Sequence, residues 1–195
     1  MKCALLLIDV INDMDFPGGE RLLKRALPAA QRLSSLRNRA RAAGIPIIYV
    51  NDNFGRWNSD FQSQIRRCVS TGSTGKDVVS LLMPEEEDYF VLKPKHSGFY
   101  SSSLEVLLNF LAIDTLILSG FAADICVLYT ANDAYMRDYH LIIASDCVAS
   151  ETDEGTNIAL DHMNERLRAE VVLGANIDLR LCKEAPEAER TERAR

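Results

Sequence analysis

Short apolar runs, several of them ending in a polar residue, alternate with helix-like stretches along this chain. The first run covers residues 4–8 and is followed at once by Asp9. Continuous apolar runs of this length are typical of strands that are buried on both faces, and such strands belong to parallel sheets. The repeated strand–helix alternation predicts the α/β class: a three-layer α/β/α sandwich around a six-stranded parallel sheet.

The predicted elements fill most of the chain. The strands are expected at residues 4–9, 46–51, 89–92, 115–118, 140–144 and 170–173, and the main helices at 20–43, 61–69, 101–112, 126–136 and 152–167. Residues 70–76 are rich in Gly, Ser and Thr and are expected to form a loop. Ser101 or Ser102 is the expected N-cap of the third helix, and Glu105 completes a capping-box spacing from Ser102.

Length and composition favour one domain. The chain has 195 residues, of which 47% are hydrophobic, and this is enough for a sizeable core. We expect residues 1–182 to form that domain. Residues 183–195 are almost all charged, Ala and Pro, so we expect a C-terminal tail that buries no core.

The charge and the cysteines limit the possible partners and location. A net charge of −6 argues against nucleic acid, which requires a basic face, and no apolar run approaches the length of a membrane span. The five cysteines are odd in number and lack CxxC spacing, so a reduced, cytoplasmic protein is expected and a disulfide scaffold is not. We further expect a homo-oligomer that acts on a small molecule.

Four polar residues fall where predicted strands end or just beyond. They are Asp9, Asn51, Lys93 and Cys126. Because functional groups in parallel sheets gather at the carboxyl ends of the strands, these side chains are expected on one edge of the sheet.

Cys126 lies in a predicted strand–turn–helix unit, in the first turn of the helix. The unpaired N–H groups and the positive end of the helix dipole favour a thiolate there, and the same N–H groups can bind an oxyanion. The alternative is a buried apolar cysteine without a chemical role.

A cysteine nucleophile also requires a base. Of the three histidines, His140 opens a strand, His162 is within the last helix, and His96 is farther from its strand end than Lys93. Asp9 is the candidate base because burial raises the pKa of a carboxylate towards that of a thiol. Lys93 is the cation that would stabilise the thiolate. The alternatives are a capping or solvated carboxylate for Asp9 and an exposed strand-end lysine for Lys93.

Three motifs occur in an order that is characteristic of one family. They are Leu-Leu-Ile-Asp-Val at 6–10, Lys-Pro-Lys-His-Ser-Gly-Phe at 93–99, and Gly-Phe-Ala-Ala-Asp-Ile-Cys-Val at 120–127. Together they resemble the isochorismatase-like cysteine hydrolases, which include nicotinamidases, N-carbamoylsarcosine amidohydrolase and isochorismatases. The resemblance covers about residues 3–175.

The resemblance implies a catalytic triad of Asp9, Lys93 and Cys126 and a sheet with strand order 3-2-1-4-5-6. It also implies a cis peptide bond between Phe121 and Ala122. The backbone N–H groups of Ala122 and Cys126 would then form the oxyanion hole.

Two departures from the family pattern concern the substrate. Ile11 occupies a position where the family often has Gln, and residues 51–57 lack the histidine of a metal-dependent nicotinamidase. Asp52 alone is a poor ligand set for zinc or iron. We therefore expect no metal and no cofactor, and an activity other than that of a nicotinamidase.

The resulting hypothesis is a metal-independent cysteine hydrolase that cleaves a small amide or ureido C–N bond through a thioester. Isochorismatase-type vinyl-ether hydrolysis and a non-catalytic ligand-binding protein on the same fold are the alternatives. The expected substrate-binding residues are Asn51, Phe54, Trp57, Phe99 and Tyr129. For each aromatic residue among them, ordinary core packing is the competing explanation.

Overall fold

The structure is a computed structural model, and it describes residues 1–55, 57, 60–70 and 72–182. The predicted tail, 183–195, lies outside the described residues. Within the described part of the chain, no helix combines the length and the apolar character needed to cross a membrane.

The sheet has six strands, all of them parallel, in the order β3-β2-β1-β4-β5-β6. This confirms the predicted fold class and strand order. The strands are β1 (Cys3–Ile8), β2 (Ile47–Asp52), β3 (Tyr89–Lys93), β4 (Thr115–Phe121), β5 (His140–Ala149) and β6 (Glu170–Val172).

Helices cover both faces of this sheet. They are α1 (Gly19–Ala42), α2 (Phe61–Cys68), α3 (Lys76–Leu81), α4 (Leu104–Phe110), α5 (Leu128–Tyr135) and α6 (Asp153–Leu167). A π-helical turn (Ala123–Val127) precedes α5, and two short 3-10 turns (Gly174–Asn176 and Leu179–Leu181) follow β6.

The alternation of side chains along β1 shows how one strand serves two cores. Leu5 and Leu7 pack into the cluster that includes apolar residues of α1, whereas Leu6 and Ile8 pack into the cluster that includes apolar residues of α4, α5 and α6. All four are fully buried. A strand in this position must be apolar on both faces, and this is why the run 4–8 lacks polar residues.

Several local predictions differ from the structure. The helix α3 was not predicted, and α4 is shorter than expected at both ends. Ser103, not Ser102, is the N-cap of α4, and Glu105 pairs with Arg137 at 3.2 Å rather than completing a capping box. The Ser102 hydroxyl instead donates to the carbonyl of Gly98 and accepts from the N–H of Leu104 at 3.2 Å.

Cys3 and Cys182 form a disulfide, with their Cα atoms 5.3 Å apart. The expectation that all five cysteines are reduced is therefore wrong for this pair. The two residues are 179 positions apart in sequence, and only the packing of the C-terminal 3-10 turn brings Cys182 to the start of β1. Cys68, Cys126 and Cys147 are free thiols.

Candidate active site

The parallel strands bring Asp9 and Lys93 to the same edge of the sheet. Asp9 directly follows β1, and its N–H donates to the carbonyl of Val50 on β2 at 2.9 Å. Lys93 ends β3 and pairs in register with Asp52, the last residue of β2. Three strand ends thus meet where the sequence places its polar residues.

Lys93 and Asp9 form a buried ion pair. The Lys93 Nζ is 2.8 Å from Asp9 Oδ2, and the lysine side chain has no exposed surface. The other carboxylate oxygen of Asp9 accepts a hydrogen bond from the N–H of Asp52 at 2.7 Å. Asp52 adds a second, weaker negative partner, since its Oδ2 is 3.8 Å from the Lys93 Nζ. Both oxygens of Asp9 are therefore held, and so is the cation beside them.

Cys126 lies against the same lysine. Its Sγ is 3.7 Å from the Lys93 Nζ. The residue belongs to the π-helical turn rather than to the first turn of an α-helix, and the N–H of Val127 closes that turn by donating to the carbonyl of Ala122 at 3.1 Å. The structure thus brings the three predicted triad residues together around one ammonium group.

Gly120 allows β4 to approach β1 closely at this point. Its φ is +109°, and a Cβ atom there would lie 2.1 Å from the carbonyl oxygen of Ile8. Only glycine fits a position with this backbone conformation and this contact. The peptide bond between Phe121 and Ala122 is cis, as the resemblance implies.

Hydrogen bonds from Ser150, the residue after β5, also hold the π-helical turn. The Ser150 hydroxyl donates to Asp124 Oδ1 at 2.6 Å and accepts from the Asp124 N–H at 3.1 Å. The other Asp124 oxygen lies against Gly155, where a Cβ atom would approach it to 2.8 Å. The segment that leads into Cys126 is therefore fixed at two points, Gly120 and Asp124.

The resting site favours a neutral thiol. Burial raises the pKa of Cys126, the negative charge of Asp9 raises it further, and the positive charge of Lys93 offsets only part of this effect. Burial lowers the pKa of Lys93, but the negative charge of Asp9, and that of Cys126 when it is a thiolate, outweigh burial, and the pKa is raised overall. The lysine is therefore a permanent cation.

On its exposed side, the sulfur faces His96. The Nδ1 of His96 is 3.9 Å from the Cys126 Sγ, and the imidazole packs against the ring of Tyr129 at a centroid distance of 5.7 Å. Tyr129 is 54% exposed. Both rings are exposed, whereas Lys93 is fully buried.

The other expected substrate-binding residues have different surroundings. Asn51 is fully buried, and its side-chain N–H donates to the carbonyl of Ile11 at 2.9 Å, which holds the loop after β1. Phe99 is a core residue that packs against Tyr139, so core packing explains it. Trp57 is 82% exposed.

Phe54 has a contact outside the triad. Its ring lies under the guanidinium of Arg67, 5.0 Å from the ring centroid. Among the contacts of the described residues, Tyr129 is the expected substrate-binding residue that is linked to Cys126. Its ring packs against His96, and the Nδ1 of His96 is 3.9 Å from the Cys126 Sγ.

The described residues include no group of three or more His, Cys, Asp or Glu side chains arranged to hold a metal ion. Asp9 and Asp52 both face Lys93, and an ammonium group in that position competes with a metal for the same oxygens. The absence of a metal from the reaction remains a prediction.

Two residues that sequence reasoning passed over belong to the site. The sequence pattern singles out Asp52 only as a possible metal ligand, although its register with Lys93 follows from neighbouring parallel strands. Distance from the strand end favours Lys93 over His96, although the motif at 93–99 contains both residues.

Comparison with known proteins identifies the family. The model of the isochorismatase domain matches residues 3–175. The chain belongs to the isochorismatase family. The resemblance carried by the three motifs is thus confirmed.

Three known proteins show which members of the family this chain is similar to. The chain is 43% identical over 168 residues to the uncharacterized isochorismatase family protein YaaI of Bacillus subtilis, covering 86% of this chain and 92% of that protein. It is 30% identical over 169 residues to the ureidoacrylate amidohydrolase RutB of Methylobacterium radiotolerans, covering 73% of this chain and 65% of that protein. The crystal structure of N-carbamoylsarcosine amidase from Thermoplasma acidophilum superposes with a TM-score of 0.71 at 29% identity, covering 91% and 99% of the two chains.

Proposed function

We propose that this protein is a metal-independent cysteine amidohydrolase that cleaves a C–N bond of a small amide or ureido compound. One observation carries the proposal. The fully buried Lys93 ammonium contacts a carboxylate oxygen of Asp9 at 2.8 Å and the Cys126 sulfur at 3.7 Å. A base, a nucleophile and a cation that serves both are the groups that covalent catalysis by a thiol requires.

The first half of the reaction begins with proton transfer inside the site. Asp9 takes the thiol proton of Cys126, and Lys93 stabilises the thiolate that results. Because the proton moves from one member of the site to another, its total charge does not change, which matters where burial penalises net charge. The thiolate then attacks the substrate carbonyl carbon and forms a C–S bond.

Collapse of the tetrahedral intermediate breaks the C–N bond. Asp9 returns its proton to the departing nitrogen, which leaves as ammonia or an amine. In this proposal the N–H groups of Ala122 and Cys126 bind the oxyanion while it exists, as expected of donors fixed in advance by the fold. Water then hydrolyses the thioester.

The substrate class is supported by the names of the relatives. Ureidoacrylate amidohydrolase and N-carbamoylsarcosine amidase both act on a C–N bond of a compound that contains a ureido or carbamoyl group. The intact thiol beside Lys93 favours this chemistry over vinyl-ether hydrolysis, which does not require a cysteine nucleophile.

A panel of small amides, N-carbamoyl amino acids and ureido acids, assayed for ammonia release, tests the proposal. Cys126→Ala should lose activity on every active compound by more than about 10²-fold, since the covalent route is closed. Cys147→Ala is the matched control, because Cys147 is a buried free thiol outside the site. Ammonia release by Cys126→Ala at the wild-type rate would contradict the mechanism.

A further inference from the structure

Thr130 is a fully buried residue of α5 whose hydroxyl has two polar partners. It donates to the carbonyl of Cys126 at 2.7 Å, and it accepts from the N–H of Gly98 at 2.9 Å. Cys126 is the proposed nucleophile, and Gly98 belongs to the motif at 93–99, which begins with Lys93. One hydroxyl therefore links the segment that carries the thiol to the loop that follows the cation.

This link holds the turn on the other side of the thiol. The contacts at Gly120 and Asp124 hold the segment that leads into Cys126. Thr130 lies four residues after Cys126, and a helical threonine often donates to the carbonyl four residues before it. What distinguishes Thr130 is that its oxygen also accepts from a loop between two other elements, β3 and α4.

The loop after β3 packs tightly against α5. A Cβ atom at Gly98 would lie 3.3 Å from the Thr130 Cγ2. Farther along α5, Asp133 accepts from the hydroxyl of Ser97, which in turn accepts from the N–H of Phe99 at 3.1 Å. Moving the loop away from α5 would leave buried hydrogen-bonding groups without partners, and this is costly.

We propose that Thr130 is a positioning residue, whose hydroxyl fixes the Cys126 turn against the loop that follows Lys93 and so keeps the sulfur beside the Lys93 ammonium. This inference rests on the proposed function, in which Lys93 and Cys126 act together. The distance at stake is the 3.7 Å between the Cys126 Sγ and the Lys93 Nζ. A displacement of a reacting group by about 1 Å can cost about 10²-fold in rate.

Thr130→Val tests the role of the hydroxyl, because valine keeps the branched shape of threonine. On a compound from which the wild-type protein releases ammonia, kcat should fall by about tenfold to 10²-fold, whereas KM should stay within about threefold. Thr130→Ser keeps the hydroxyl and should restore kcat to within about threefold of wild type. Thr130→Ala removes the same hydroxyl, favours the helix more than valine does, and should act like Thr130→Val.

The pH profile of Cys126 alkylation by iodoacetamide provides a readout that needs no substrate. In the wild-type protein, burial and the charge of Asp9 raise the pKa of this thiol. A sulfur that leaves this position regains a pKa closer to that of an ordinary thiol, so the profile of Thr130→Val should shift to lower pH. Alkylation at neutral pH should become about tenfold faster for each unit by which the pKa falls. Catalysis and alkylation should thus change in opposite directions.

Thr115→Val is the matched control. Thr115 is fully buried, and its hydroxyl donates to Asp114 Oδ1 at 2.6 Å. It begins β4, whereas Gly120 and the turn that carries Cys126 are at the other end of that strand. Thr115→Val should therefore leave kcat and the alkylation profile unchanged, and urea unfolding of both variants compares their losses of stability.

Three results would overturn the role of Thr130. The first is a kcat for Thr130→Val within about threefold of wild type, or an alkylation profile that does not shift. The second is a Thr130→Ser variant as impaired as Thr130→Val, which would assign the effect to the methyl group. The third is an equal fall in kcat for Thr115→Val, which would assign it to general stability.

Failure of the proposed function would look different. Ammonia release by Cys126→Ala at the wild-type rate would refute the nucleophile. The alkylation profiles of wild type, Thr130→Val and Thr115→Val would still decide whether Thr130 holds the sulfur in place, because they depend on the thiol alone.

Discussion

Replacing Lys93 with methionine tests whether the buried cation organises the site. Methionine is similar in length but carries no charge, so the change removes the ion pair with Asp9 and leaves the packing of β3 nearly intact. The Asp9 carboxylate then keeps its hydrogen bond from the Asp52 N–H at 2.7 Å but has lost its partner at 2.8 Å.

The magnitude follows from the distances. At an effective dielectric constant of about 20, the Lys93–Asp9 charge pair at 2.8 Å is worth about 6 kcal/mol, and a Cys126 thiolate 3.7 Å from Lys93 would gain about 4.5 kcal/mol. Without Lys93, the buried Asp9 carboxylate loses the larger of these stabilising energies, and the thiolate that forms when Asp9 takes the Cys126 proton loses its cation. We therefore expect kcat to fall by about 10³ or more, within the range for loss of a general base.

Stability provides a second readout. Removing one member of a buried ion pair typically costs about 3–5 kcal/mol, measured here by urea unfolding of Lys93→Met. Adding Asp9→Asn removes the unpaired carboxylate, so the double variant should be less destabilised than the sum of the single variants while remaining inactive. Lys95→Met, in the exposed loop beyond β3, is the matched control and should change neither property.

Two outcomes would refute this reasoning. If Lys93→Met kept more than about a tenth of wild-type kcat, the cation would not be needed to hold the base ready. If the two substitutions were additive in the free energy of unfolding, Lys93 and Asp9 would not be coupled, although their side chains are in contact.

Three further predictions concern the turn, the thiols and the metal. Gly120→Ala should lower the free energy of unfolding in urea by about 3 kcal/mol or more, because a Cβ would strike the Ile8 carbonyl. Gly72→Ala is the control: its φ is +90° but the space around it is open, so it measures the cost of the backbone conformation alone. An equal loss in both variants would contradict the clash. Iodoacetamide should label Cys126 before the buried Cys68 and Cys147. The rate of Cys126 labelling should rise about tenfold per pH unit above neutrality, because the pKa of this thiol is raised. Mass mapping that found Cys68 labelled first would refute this order. Exhaustive chelation should leave ammonia release unchanged, and recovery of a lost activity on adding zinc or manganese would show that a metal takes part.

The elements that the sequence predicts best are those whose apolar pattern follows from how the element itself is buried. Residues 4–8 are apolar because β1 is buried on both faces, and from such runs the parallel sheet could be inferred. Features that depend on distant partners could not be inferred in this way. The disulfide joins Cys3 to Cys182 across 179 positions, and the helix N-cap at Ser103 differs from the predicted one while Glu105 pairs with Arg137.

In the candidate site, too, some features follow from local sequence patterns and others depend on distant partners. That Asp9 and Lys93 share an edge followed from parallel strand ends, whereas the partners of the Cys126 sulfur depend on the depth at which the π-helical turn is buried. The sequence suggested a helix terminus that lowers the thiol pKa, but burial and the Asp9 charge together raise it. A resting thiolate is therefore not the source of reactivity. In the proposed mechanism, the thiol becomes nucleophilic when its proton moves to Asp9, and the positive charge of Lys93 stabilises both the Asp9 carboxylate before that transfer and the thiolate after it.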